Sequence, residues 1–280
     1  MKFGIIGLGA VGSLLAYFLN RAGYVPHVVT RSRRERYVLK WGGETHVLQV
    51  AVGDELPPVD YTFVAVKAYD TEAVVDKIRG VPVVFQNGIG GLELIKERLG
   101  VCFSAVVTYG VARVEGVAEV RGVGEIVLPR EAGEVADALR AGGARVRVVE
   151  DIEPVRWLKL AINAAINPIT ALLRAKNGVV VENPYAKSLA AEAAREAGRV
   201  AEAVGVRLPA DPVEEAMKVA EATRDNVSSM LQDLSQCRRI EVDYINGAVV
   251  MLGERHGVEA PVNKALWALV KAAEAACGAV

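Results

Sequence analysis

The sequence predicts an α/β protein whose N-terminal region, residues 1–150, holds a parallel sheet and whose C-terminal region, residues 151–280, is all-helical. Three observations predict this. Short Val/Ile-rich runs alternate with helical spacing through the first region, the pattern of a parallel sheet covered on both faces. From residue 151 the strand-like runs disappear and Ala-rich helical periodicity takes over. The chain of 280 residues, 52% apolar and 24% charged, has an ordinary globular balance and is long enough for one large domain or two modest ones.

The elements follow in order. KFGIIG (2–7) is an apolar run ending in glycine. Residues 10–23 have helical spacing at Val11, Leu14, Leu15, Phe18 and Leu19 and stop at Gly23. PHVVT (26–30), YTFVAV (61–66) and VPVVFQ (81–86) read as the second, third and fourth strands. Residues 101–128 contain β-rich stretches broken by Gly110, Gly116, Gly122 and Gly124, which predicts antiparallel strands or hairpins. A short helix over 132–143 and a strand over 145–151 close the region. In the second region Pro154 suits a first helical turn, and the apolar stretch 155–173 is expected to kink or break at Pro168. Asn183-Pro184 and Asp211-Pro212 are cap-plus-proline helix starts. Helices over about 212–223, 228–252 and 261–276 complete the set.

Composition excludes several classes. Lys+Arg is 33 and Asp+Glu is 34, so the formal net charge of −1 offers no footprint for nucleic acid or an anionic membrane. No apolar run approaches the ~20 residues of a membrane span. The opening MKFGIIGLGAVG lacks a secretory signal pattern, so a cytoplasmic location is expected. Cys102, Cys237 and Cys277 are scattered and odd in number, which fits a reducing compartment better than a disulfide framework. His27, His46 and His256 form no metal spacing with them, and no metal is expected.

Gly7-Leu8-Gly9-Ala10-Val11-Gly12 matches G-x-G-x-x-G between an apolar strand and an amphipathic helix. In that context Gly7 permits the tight turn, Gly9 lets the backbone approach a pyrophosphate and Gly12 lets helix and strand pack closely. The free N–H groups of the helix N-terminus then face the phosphates. The region is therefore expected to be a Rossmann-type dinucleotide-binding domain. The second strand is followed by Thr30-Arg31-Ser32-Arg33-Arg34, with no carboxylate before Glu35. A guanidinium suits a ribose 2′-phosphate, so NADP(H) is favoured, with NAD(H) as a secondary cofactor. Lys67 and Asn87 stand just past the third and fourth strands, on the rim where open α/β sheets bind ligands.

Lys159, Asn163 and Asn167 are spaced i, i+4, i+8 in an otherwise apolar helical segment, so they share one face. Unpartnered burial would cost ~1–3 kcal/mol for each, so the stripe faces a polar cavity, a ligand or an internal hydrogen-bond ladder. A lysine makes the ladder the weaker reading. Asn177 adds a further amide, and Glu241 could supply a charge opposite to Lys159. A ketone receiving hydride develops an alkoxide, which a nearby ammonium stabilises and then protonates.

GLGAVG, VKAYDT, QNGIGG, KLAINAAINPITAL, NVSSMLQD and EVDYINGAVV, in that order, resemble the ketopantoate reductase (2-dehydropantoate 2-reductase) family over nearly the whole chain. The resemblance implies reduction of 2-dehydropantoate to (R)-pantoate, on the way to pantothenate and coenzyme A, by a monomer or homodimer. It implies that Lys159 binds and protonates the ketone oxygen and that Glu241 is its acidic partner in the site, also placed among the cofactor contacts. It implies substrate contacts for Asn87, Asn163, Asn167, Asn177 and Ser229, and cofactor contacts for Arg31, Lys67 and Asn87. Two other readings remain: a related NAD(P)-dependent dehydrogenase acting on a β-hydroxyacid or reducing an imine, and a non-catalytic dinucleotide-binding sensor.

Overall fold

In the computed structural model, which describes residues 1–278, the chain forms two compact units. The first comprises Met1–Gln86 and Gly90–Ile152, and the second Asn87–Ile89 with the chain from Glu153 onward.

The first unit contains β1 (Phe3–Ile6), α1 (Ala10–Arg21), β2 (His27–Val29), β3 (Val38–Trp41), β4 (Glu44–Val47), β5 (Ala51–Gly53), β6 (Tyr61–Val64) and β7 (Val81–Val84). After these come α2 (Gly91–Leu99), β8 (Phe103–Ser104), β9 (Val106–Val107), β10 (Gly110–Val114), β11 (Val117–Gly122), β12 (Ile126–Pro129), α3 (Gly133–Ala141) and β13 (Val146–Val149). The main sheet has six strands in the order β5-β2-β1-β6-β7-β8, and every pairing is parallel. β1 lies near its middle, its four residues all buried, with Ile5 opposite Val28 on one side and Phe63 on the other. Leu14, Leu15, Phe18 and Leu19 of α1 are buried in the same core, as their spacing predicts, while Val11 is half-buried. Full burial of such side chains stabilises by ~1.5–3 kcal/mol each.

Two features of this unit differ from the sequence reading. β3, β4 and β5 fall between the expected second and third strands, where half-exposed, charged residues hide the period-2 signal. Within 101–128, β10 pairs with β11 and β9 with β12 in the expected antiparallel way, but β8 joins the main sheet parallel to β7 and β11 runs parallel to β3.

The second unit contains α4 (Glu153–Leu173), α5 (Val179–Glu182), α6 (Pro184–Ala203), α7 (Pro212–Ala222), α8 (Ser229–Ser235), α9 (Asn246–Arg255) and α10 (Pro261–Ala276). Both cap-plus-proline starts are realised. The Asn183 side chain accepts from the Tyr185 and Ala186 N–H groups, and Asp211 from those of Val213 and Glu214.

Three expectations are corrected here. First, Pro168 does not break the helix: α4 runs unbroken from Glu153 to Leu173. A proline leaves the carbonyl four residues earlier without its N–H donor. That carbonyl belongs to Ala164, and the buried Asn246 amide donates to it at 3.0 Å. The same Asn246 Nδ2 donates to Asn263 Oδ1 at 2.9 Å, and Asn263 Nδ2 donates to Ala193 O and to the buried Glu196. Second, the helix expected over 228–252 is divided. α8 ends at Ser235, Cys237 takes a left-handed conformation with φ of 47°, Ile240 is extended, and a 3₁₀ turn spans Glu241–Tyr244 before α9. Third, Cys237 and Cys277 form a disulfide across 40 residues, their Cα atoms 5.4 Å apart. Folding α10 back onto the 237–244 segment brings together two cysteines that spacing alone cannot pair. Cys102 is free.

The Ala164 carbonyl gives a direct test of the proline reading. Pro168→Ala restores the missing N–H and makes the Asn246 bond to that carbonyl redundant. Asn246→Ala is expected to cost about 1–3 kcal/mol in the parent chain and about 1 kcal/mol less in the Pro168→Ala background, read from urea unfolding. Equal costs in both backgrounds would show that the amide does not serve the Ala164 carbonyl.

Candidate active site

The first unit carries an open glycine loop at the start of α1. Gly7 follows β1 with φ of 95°, its N–H donating to Val29 O at 2.9 Å. A side chain at Gly7 would sit 2.7 Å from Val66 Cγ1, and one at Gly12 would run into the Gly7 carbonyl oxygen. Both glycines are thus required by the fold itself. Gly9 is different: a Cβ there would meet nothing within 4 Å. It stands at the start of α1, which has no side-chain cap and no acidic residue in its first turn. Leu8 is buried beneath, and Ala10 and Val11 begin the helix. An open backbone at a helix N-terminus free of carboxylates fits an anionic group such as a pyrophosphate.

The neighbouring strand ends carry the other candidates of this unit. Arg31 lies two residues beyond β2, and its guanidinium is paired with Asp70 at 2.6 and 3.2 Å. Lys67 follows β6 and immediately precedes the 3₁₀ turn Ala68–Asp70. The Gln86 amide ties the exits of β6 and β7 together, donating to Val66 O at 3.1 Å and Thr71 Oγ1 at 2.8 Å.

The second unit holds the charged group. Lys159 Nζ donates to Asn87 Oδ1 at 2.8 Å. Desolvation lowers the Lys159 pKa from 10.5 to about 8, with the negative charge of Glu241 opposing that shift. Glu241 is 5% exposed and opens the 3₁₀ turn. Both partners are fixed by the same stretch of backbone. Ile89 N–H donates to Tyr244 O at 2.9 Å, and Gly88, with φ of 80°, lies so close to that carbonyl that a side chain would collide with it. Asn87 is therefore set against the turn that carries Glu241. α10 holds the turn from behind: Glu274 accepts from Ile240 N–H at 2.6 Å, Trp267 Nε1 donates to Asp243 at 2.7 Å, and Lys271 pairs with Asp243 at 3.2 Å.

Asn163 and Asn167 continue the stripe from Lys159, half-buried and buried respectively, and their side-chain amides make no hydrogen bond among the described residues. The alternative of an internal ladder is thus not what the structure shows. Asn177 and Ser229 belong to a second polar group, farther along α4. Asn177 Nδ2 donates to Thr223 Oγ1 at 2.9 Å, its N–H donates to Asn226 O, and its buried Oδ1 has no partner. Ser229 is exposed at the start of α8, while the preceding Ser228 caps that helix and accepts from Thr170 Oγ1 at 2.7 Å. The described contacts bring Lys159, Asn87 and Glu241 together; they do not join Asn177 or Ser229 to that group.

Sequence reasoning missed Asp70 and Asn246. Asp70 lies 39 residues from Arg31 and gives no local signal. Asn246 had one: a proline inside an apolar helix demands a donor for the stranded carbonyl.

Residues 3–133 match the family model "Ketopantoate reductase PanE/ApbA", and residues 151–274 match "Ketopantoate reductase PanE/ApbA C terminal". A 2-dehydropantoate 2-reductase from Pyrobaculum aerophilum is 56% identical over 273 residues, covering 98% of both chains. One from Archaeoglobus fulgidus is 39% identical, covering 96% of this chain and 97% of its own. Among solved structures, the PanE/ApbA family ketopantoate reductase from Ralstonia eutropha superposes with a TM-score of 0.92 at 26% identity, over 99% of this chain and all of the other. A D-mandelate dehydrogenase solved with NADH and anilino(oxo)acetate shares the fold, with a TM-score of 0.89 at 23% identity over 99% of this chain and all of that one.

The contrast among the glycines yields a prediction. Gly9→Ala is expected to melt close to the parent yet bind a dinucleotide at least about tenfold more weakly, because its methyl group enters space a pyrophosphate needs. Gly12→Ala is expected to lose stability outright. Thermal melts and calorimetric titration of both variants separate the two roles, and undiminished binding by Gly9→Ala would remove the loop from the site.

Proposed function

This chain belongs to the ketopantoate reductase PanE/ApbA family, and we propose that it reduces 2-dehydropantoate to (R)-pantoate, with NADPH as preferred hydride donor and NADH as a secondary one. The observation that carries the reading is the desolvated Lys159 ammonium on α4, hydrogen-bonded to the Asn87 amide and favoured by the charge of Glu241. A fold alone would not place an ionised group there, since burying it is costly.

The glycine loop and the free N–H groups of α1 would hold the cofactor's pyrophosphate, with Arg31 and Lys67 as further contacts from the neighbouring strand ends. Asn87 and Glu241 are proposed to contact the cofactor as well. The reduced nicotinamide supplies hydride to the ketone carbon. The residues of the chain handle the charge that this creates. The Lys159 ammonium stabilises the oxygen as it becomes an alkoxide and then transfers a proton to it, regaining one from water. A pKa of about 8 suits both demands: the lysine is mostly protonated at neutral pH and releases a proton more readily than an ordinary lysine near 10.5. Asn87 holds the ammonium in place. Asn163 and Asn167 offer unengaged amides to the substrate's carboxylate and hydroxyl, adding no charge that would oppose hydride transfer. Asn177 and Ser229 extend the polar surface toward the far end of α4, and the unpartnered Asn177 Oδ1 is an acceptor for a hydroxyl.

This reading is checked with 2-dehydropantoate and both cofactors. Lys159→Met is expected to lose about 10²–10⁴-fold in turnover while still binding NADPH. The rate of the parent should fall as pH rises through about 8, where the ammonium is lost. Glu241→Gln should move that limb to lower pH, because the carboxylate charge holds the lysine pKa up. Stability gives a second readout. The folded-state pKa lies below the unfolded value, so the unfolded chain binds more protons between about 8 and 10.5, and the parent should gain stability with pH across that window. Lys159→Met should abolish that gain. A variant that turns over normally would leave Lys159 without a catalytic role.

A further inference from the structure

The ribose end of the proposed dinucleotide site holds a contradiction that the sequence does not reveal. The residue read from the second strand is a guanidinium, which favours a 2′-phosphate. In the structure that guanidinium is already engaged at two points by a carboxylate: Arg31 Nη2 to Asp70 Oδ2 at 2.6 Å and Nη1 to Asp70 Oδ1 at 3.2 Å. The topology makes the pairing specific to this location. Arg31 follows β2 and Asp70 follows β6, and these are the two parallel neighbours of β1, whose carboxyl end is the glycine loop. Both groups of the ribose code, the acid and the base, thus stand on the rim beside the loop. The Arg31 side chain is 85% exposed and that of Asp70 only 17%, so the acid is the fixed partner and the arginine the adaptable one.

We propose that Asp70 is a specificity-determining residue that narrows the preference for NADPH over NADH. This rests on the reading that a nicotinamide dinucleotide binds at the glycine loop. A 2′-phosphate needs the Arg31 guanidinium, and it must either draw it from Asp70 or share it with that carboxylate at close range. Sharing sets like charges side by side, and drawing it away leaves a mostly covered carboxylate without its partner. A ribose hydroxyl meets neither obstacle. It can donate to Asp70, which has acceptor capacity beyond two guanidinium bonds, while Arg31 stays paired. The same pair therefore penalises the phosphorylated cofactor and accepts the plain one.

The test is calorimetric titration of the full chain with NADPH and with NADH, for the parent, Asp70→Asn and Arg31→Ala. Asp70→Asn is expected to tighten NADPH by roughly two- to fivefold, the range an exposed charge pair commands, and to leave NADH unchanged or weaker. Arg31→Ala should weaken NADPH by about tenfold while NADH stays within about twofold. Adenosine 2′,5′-bisphosphate and adenosine 5′-monophosphate, titrated in parallel, confine the effect to the ribose and should follow the same order. If Asp70→Asn leaves the NADPH-to-NADH ratio unchanged, or weakens NADPH because the carboxylate was holding Arg31 in place for the phosphate, the proposal fails while the dinucleotide site stands. If the parent binds none of these ligands, both are overturned.

Discussion

One constraint organises the second unit: an ammonium must stay charged where it is desolvated. Among the groups that meet it for Lys159 are a neutral acceptor at hydrogen-bond distance, Asn87, and a carboxylate that favours the charge, Glu241. Neither belongs to the lysine's own helix. Asn87 comes from a short chain segment far upstream, and Glu241 from a 3₁₀ turn far downstream. The Ile89–Tyr244 backbone bond and the close approach at Gly88 join those two segments to each other. The lysine's electrostatic surroundings are therefore set by backbone, which has few conformations to choose from, and less by flexible side chains.

Much of the remaining architecture serves that turn and that helix. α10 grips the 237–244 segment through a carboxylate, an indole, an ammonium and a disulfide. A bridge closing a loop of 40 residues restricts the unfolded chain and is worth about 2–4 kcal/mol on general grounds. α4 is kept continuous by a different device. Pro168 strands the Ala164 carbonyl, and Asn246 restores a donor from another helix. The orientation of that amide is decided by its neighbours, because Asn263 uses its own nitrogen on Ala193 and Glu196 and so presents oxygen to Asn246.

What was legible in the sequence follows from how local each signal is. The glycine loop, α1, the inner strands and the two cap-plus-proline helix starts are written in adjacent residues and are found where the spacing puts them. The Lys159, Asn163, Asn167 stripe is legible for the same reason, since helical geometry alone aligns it. β3, β4 and β5 were not, because half-exposed strands with charged residues blur the alternation. A break at Pro168 and the long helix over 228–252 were misread because both outcomes depend on tertiary partners. Asn246 repairs the first, and α10, through Glu274 and Cys277, holds the extended segment that interrupts the second. The disulfide was missed because cysteine counting assumes a reducing compartment and carries no information on contact. Arg31 was read as a cofactor contact from its place just past the second strand, but its pairing with Asp70 is a contact across 39 residues that no periodicity encodes.

Two cations of the molecule illustrate how environment decides what a contact does. Lys159 and Arg31 are both cations held by a residue of the chain, but the first is desolvated and the second is open to water. In the desolvated site, interactions are strong and removal of a partner leaves an uncompensated charge, so the arrangement is rigid and suits a group that must meet a developing alkoxide in a fixed position. In the open site the pair is worth little, about 0–1 kcal/mol, so a ligand can compete for it. A weak, exposed pair is a poor stabiliser of the fold. It is a suitable filter on ligands, because a small difference in how each ligand treats the pair is enough to change which one the rim accepts.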